Sequence, residues 1–266
     1  ADLTICSGNS TQATFQSTIP GTEGITVFNW SINAPISITP NALTGTGNLN
    51  HPFSNSGTTP QQVTLTITGD VNGCLSQPST YNFTVNPVAN TLLSSGSQTI
   101  CSGSPTGSVN ITSAIAGSSF AWSATCDAGI RLPCPSGGTG TAPASFGNET
   151  IFNDASSPKD VTYSITSSFD GCPGTGATHI VTVNPVADVT LPASGQTRCA
   201  GSPTAAVPLG TNITGATVDY TWSVSCNPGI VNCPPAGGSP TQISPVTLNL
   251  SGRSEEHTSE LQSRQS

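Results

Sequence analysis

Charge is scarce in this chain. Its 266 residues hold five Lys and Arg against 13 Asp and Glu, and only 7% of the residues are charged. Outside the last fourteen positions the cations are Arg131, Lys159 and Arg198 alone. A surface so poor in cations repels phosphate backbones and anionic lipid, so nucleic acid is excluded as a partner. Methionine is absent, and Trp and Tyr number three each. No run of eighteen apolar residues occurs, which excludes a membrane-spanning helix in this stretch. Helical periodicity is missing as well. The chain opens on Ala1 without a signal-peptide pattern, which reads as a fragment or a processed product.

Short alternating runs are abundant. In "VTLTIT" and "VTYSIT" every second residue is apolar, the signature of a half-buried strand, and Gly, Pro, Asn and Ser fill the intervals. Three stretches repeat: "TICSGNS" at Cys6, "TICSGSP" at Cys101 and "TRCAGSP" at Cys199. A Trp follows each, in "FNWSI", "FAWSA" and "YTWSV". The first two copies continue to "GDVNGC" and "SFDGC" and close on "TVNPVA". A period near a hundred residues suits one β-sandwich per repeat. The expected organisation is repeat 1 over 1–88, repeat 2 over 89–186 and a partial repeat 3 over 187–252, whose final two strands do not appear. The fold class is all-β.

Nine cysteines fit this frame. Cys6 is expected to pair with Cys74 and Cys101 with Cys172, each bond joining the start of a repeat to the turn before its last strand. Cys126 with Cys134, and Cys226 with Cys233, would staple the loop leaving the Trp strand, whereas repeat 1 has Ala34 at that position. Cys199 is left unpaired. Zinc is disfavoured because no C-x-x-C spacing or nearby His accompanies these residues. Disulfides in turn imply an oxidising compartment.

Trp30, Trp122 and Trp222 each share alternation with apolar neighbours, which predicts the inward face of a central strand and a core role, against the alternative of a sugar-stacking platform. Asp70 and Asp170 precede Gly in hairpin-turn patterns and lack the later ligands of a calcium loop. His51 and His179 belong to no recognisable nucleophile arrangement, and no G-x-S-x-G occurs. No catalytic residue, cofactor or metal site is therefore expected.

Taken together, "ICSG", the "W-S" strand, the "NGC" or "DGC" turn and the closing "TVNP" resemble the PKD-like and immunoglobulin-like repeats of large bacterial surface and secreted proteins, often adhesins. That resemblance implies tandem β-sandwiches outside the cell, acting as a spacer or stalk. Its alternative is an accessory module binding an extracellular glycan or protein, with the loops Asp127–Pro133 and Asn227–Asn232 as gripping points. The tail "RSEEHTSELQS", Arg253 to Ser263, is similar at every position to a sequencing-library adapter read in frame. Residues 253–266 are accordingly expected to be adapter-derived, and His257 is set aside from any site.

Overall fold

The computed structural model describes residues 3–22, 26–192, 195–214, 217–239 and 241–251. The adapter-like tail lies outside the described residues. All regular structure among them is strand. The chain divides into two compact units: residues 1–153 with 159–183, and residues 154–158 with 184–266. The first unit holds repeat 1 and most of repeat 2, and the second holds the described part of repeat 3 together with residues 154–158 and 184–186.

Repeat 1 is built on β1 (Leu3–Cys6), β2 (Ser10–Ala13), β3 (Val27–Asn33), β4 (Ala42–Thr46), β5 (Leu49–Pro52), β6 (Gln61–Val71) and β7 (Ser79–Asn86). Its main sheet runs β1-β7-β6-β3-β4. All neighbours are antiparallel except β1, which lies parallel to β7 with Cys6 beside Asn86. Opposite it, β2 pairs with β5. The alternation works as the sequence predicts. Val63, Leu65, Phe83, Val85 and Ile32 point inward and are buried, and they pack with Leu49 and Phe53 from the facing side.

Repeat 2 follows the same plan with β8 (Ser97–Cys101), β9 (Val109–Thr112), β10 (Ser119–Cys126), β11 (Gly138–Thr141), β12 (Ala144–Phe146), β13 (Lys159–Phe169) and β14 (Ala177–Asn184). Its main sheet runs β8-β14-β13-β10-β11, and β9 pairs with β12 across the sandwich. A separate core forms from Val109, Ile111, Phe120, Phe146, Val161, Tyr163, Ile165, Val181 and Val183. His179 is a core residue here. It sits edge-on to Phe146, its Nδ1 bonds Ser95 O at 2.9 Å and its Nε2 lies 3.2 Å from Gln98 Nε2. A carbonyl can only accept, so Nδ1 carries the proton and Nε2 accepts from the amide.

The Cys-Ser-Gly motif is the point where the chain changes sheets. Gly8 and Gly103 take φ of +87° and +84°, a left-handed step that other residues adopt at a cost. Their N–H groups donate to Phe53 O and Ile151 O at 2.7 and 2.8 Å. Ser7 and Ser102 accept from the N–H groups of Asn55 and Asn153. Those asparagines are buried, and each donates from its side chain at 2.8 Å to a carbonyl of the last strand, Val85 or Val183. The motif thus ties the first, middle and last parts of each repeat together.

In the second unit, β15 (Tyr220–Trp222) pairs with β16 (Gly237–Ser239), and two shorter pairs join Val207–Pro208 to Gln242–Ile243 and Ile230–Val231 to Asn249–Leu250. Tyr220 is its buried apolar residue among those described. Asp188 accepts from the Asn212 N–H at 2.9 Å and the Thr211 hydroxyl at 2.8 Å, and these bonds hold its carboxyl below the usual range. Strands equivalent to β13 and β14 do not occur among the described residues of this unit. An open cleft of about 420 Å³, lined by Val207, Trp222, Ile243, Val246 and Leu248, lies in the unit.

Candidate functional site

The disulfides correct the expected pairing. Cys6 is bonded to Cys172, 166 residues away, and neither Cys6–Cys74 nor Cys101–Cys172 forms. The reason lies in strand direction. Parallel pairing of β1 with β7 places Cys6 at the Asn86 end of β7, while Cys74 lies in the turn that leads into its Ser79 end. Eight residues of strand separate those two ends by about 25 Å, whereas a disulfide needs its Cα atoms about 4.4–6.8 Å apart. Cys6 therefore belongs to the trailing end of repeat 1 and Cys172 to the leading end of repeat 2. Their Cα atoms are 5.4 Å apart.

The bond sits in a built junction. Asn86 is 1% exposed and donates to Asp170 Oδ2 at 3.2 Å, with Cys172 Sγ 3.8 Å away. Asp170 and Gly171 both take positive φ, so the hairpin turn can present Cys172 at its tip. The linker residue Ala89 is fully buried, and its carbonyl accepts from Thr175 N–H at 2.8 Å and from Ser167 Oγ at 3.1 Å. A Cβ on Gly174 would collide with that carbonyl, so glycine is required there. In repeat 1 the matching turn is exposed, and its Asp70 carboxylate accepts from Gly73 N–H at 2.7 Å. That bond is turn chemistry. Among the described residues no three of His, Cys, Asp and Glu cluster as metal ligands.

The stapled loops are held by more than their bonds. Cys126–Cys134 and Cys226–Cys233 are both formed, and Cys199 is free. Eight residues after each Trp stands an isoleucine: Ile38, Ile130 and Ile230. Each donates its N–H three residues back, to Pro35, Asp127 or Asn227, at 2.9–3.2 Å. Ile38 and Ile130 are buried in their cores. This W-x7-I spacing was present in the sequence and marks the plug of the loop; repeat 1 keeps the plug without a staple. Between Asp127 and Pro133 the loop also presents Leu132, 77% exposed, and Arg131 stacked over Phe152 at 4.6 Å. A cleft of about 400 Å³ lies between them and Glu149. Glu149 Oε2 accepts from the Tyr163 hydroxyl at 2.7 Å, and burial together with that carboxylate pushes the phenol above its ordinary range.

The three Trp side chains point inward, yet each is half-buried. Trp30 and Trp122 pack against the cores of their repeats. The residue paired with each Trp on the neighbouring strand is glycine: Gly45, Gly138 and Gly237. In repeats 1 and 2 that strand is the sheet edge. The indole lies across the bare backbone and shields it, in the manner of aromatic cover for an edge glycine. This leaves one side of the ring toward the open edge, which is why it is not enclosed. Trp30 Nε1 is buried without a partner.

Two stacked sheets of antiparallel strands, repeated head to tail with a parallel first strand, define a tandem immunoglobulin-like β-sandwich protein. The PKD-like domain model matches residues 3–89 and 98–187, and the chain belongs to that family. No curated protein matches it. Solved structures similar to it include three cadherin domains of human CDH23 (EC21-23; 13% identity, 90% of this chain and 91% of that one, TM-score 0.34). A marsupial T cell receptor is similar at 14% identity over 83% of this chain and 81% of that one, TM-score 0.35. Among the described residues no helix is long and apolar enough to cross a membrane.

Proposed function

We propose that the chain is a load-bearing repeat region of a bacterial cell-surface or secreted protein, a spacer that holds another domain away from its anchor, outside the cell. The observation that carries this reading is the junction of repeats 1 and 2, where a disulfide and a buried linker residue join two sandwiches within one compact unit. A binding module needs only one exposed face; a spacer needs its repeats to resist bending and extension. The near absence of cations and the oxidised staples suit an extracellular surface as well.

Single-molecule pulling from the two ends tests it. Unfolding of the oxidised chain should fall short of full extension by the 166 residues between Cys6 and Cys172, about 600 Å. Dithiothreitol should restore that length. Full extension of the oxidised chain would refute the mechanical role. A second reading, a glycan- or protein-binding module, is favoured by the stapled loop, whose exposed Leu132 and Arg131 border a cleft on a preorganised backbone. Glycan-array binding lost on Cys126→Ala/Cys134→Ala, with circular dichroism unchanged, would support it instead.

A further inference from the structure

Three cysteines are free and exposed in this chain: Cys74, Cys101 and Cys199. They share one property. Cys6 meets its partner 166 residues later. The same stride leads from Cys101 to about position 267 and from Cys199 to about 365, and back from Cys74 to about −92. The first falls where the hairpin turn of repeat 3 would lie, and the other two fall in repeats other than the ones described.

We propose that the trailing-end cysteine of each repeat is bonded to the hairpin-turn cysteine of the repeat that follows. Cys101 is thus the docking point for the turn of the next PKD-like repeat. Two independent features support this. Asn184, Pro185, Val186 and Ala187 reproduce Asn86, Pro87, Val88 and Ala89 letter for letter. In the first copy of that linker Asn86 and Ala89 are buried by the incoming turn, whereas in the second the matching Asn184 is only half-buried and Ala187 is exposed. The partner can be specified further. It must carry Asp-Gly-Cys or a close equivalent at the tip, with glycine two residues after the cysteine, because Gly174 is what admits the linker carbonyl. Repeat 1 has Ser76 at that place, so its own turn is a poor fit for such a linker, and free chains are not expected to join through Cys74 and Cys101.

The chemistry is ordinary thiol–disulfide exchange. The Cys101 thiolate attacks a small-molecule disulfide such as oxidised glutathione, giving a mixed disulfide and one glutathione thiolate. The turn thiolate of the next repeat then displaces the second glutathione. Two electrons and two protons leave the protein thiols and reside on two molecules of glutathione.

The test inserts a copy of residues 89–188 directly after Asp188 of the full chain and refolds it in a glutathione redox buffer. Free thiols are counted with Ellman's reagent in guanidinium. The parent chain, with three free thiols, is the reference, and both must show β-sandwich circular dichroism. Propagation of the junction keeps the count at three, because the turn cysteine of the insert takes Cys101 while its own trailing cysteine becomes free. A count of five means that the bond is peculiar to repeats 1 and 2 and overturns the proposal while leaving the spacer reading intact. A count of one means that each repeat pairs its own two cysteines and overturns both.

Discussion

Replacing Gly138 by alanine adds one methyl group where there is no room for it. A Cβ at this position would stand 2.5 Å from Trp122 Cζ2 and 2.8 Å from Cε2. The backbone there is not left-handed, so the whole effect is steric. Either the indole tilts away from the edge strand, uncovering the core beneath it, or the strand moves; overpacking of this kind costs about 1–3 kcal/mol. For a unit of this size that is a fall in melting temperature of about 2–12 °C by calorimetry. Gly96→Ala is the matched control, since nothing lies within 4 Å of its Cβ and its φ is ordinary. It should stabilise by about 0.4–1 kcal/mol through the unfolded chain. The two alanines thus differ in sign. In a Trp122→Ala background the penalty of Gly138→Ala should vanish, because the ring it strikes is gone. If Gly138→Ala proves as benign as Gly96→Ala, the indole does not lie over the glycine and the account of the Trp is wrong.

Tyr163→Phe removes the bond to Glu149, a loss of about 1.5–3 kcal/mol for a charged acceptor. Because burial first, and Glu149 second, hold the phenol un-ionised above its ordinary value of 10.0, the unfolded chain releases its proton near pH 10 while the folded chain keeps it. That stabilisation is complete below pH 10 and declines as pH rises, by up to about 1.4 kcal/mol per pH unit, and the alkaline decline measured by urea titration should be shallower in Tyr163→Phe. Ile130→Ala should cost about 2–5 kcal/mol, since it empties the plug of the stapled loop. Leu132→Ala, two residues on and exposed, should stay within about 0.5 kcal/mol in the same urea assay.

The strands were legible because period-2 alternation survives into the central part of β13 and the core-facing stretches of β6 and β7: Val63, Leu65 and Phe83 fall inward as written. The two short staples were legible from spacing, since a loop of seven or eight residues leaves each cysteine one near partner. The long bonds were not. Repeat matching treats Cys6 and Cys74 as the entrance and exit of one unit, and nothing in the letters says that β1 runs parallel to β7 and carries Cys6 to the far end of the sandwich. Direction within a sheet is a tertiary property. The Trp residues fell between these cases. Alternation set their face, but their partial exposure came from the paired glycine of an edge strand, a cross-strand relation that requires the register.

The Cys6–Cys172 bond also places a demand on the order of events while the chain is made. Cys74 leaves the ribosome, and crosses any membrane in an extended state, well before Cys172 does. In an unstructured chain the shorter ring from Cys6 to Cys74 closes more readily than the longer one, by about 0.8 kcal/mol or nearly fourfold. Chain statistics therefore favour the wrong partner, and so does timing. What rejects it is the early sheet of repeat 1: once β1 has docked along β7, Cys6 and Cys74 are held at opposite ends of the same strand. Repeat 1 must consequently fold before its first cysteine is oxidised, and an oxidant that arrives too early would trap the chain in a ring that the finished sandwich cannot contain.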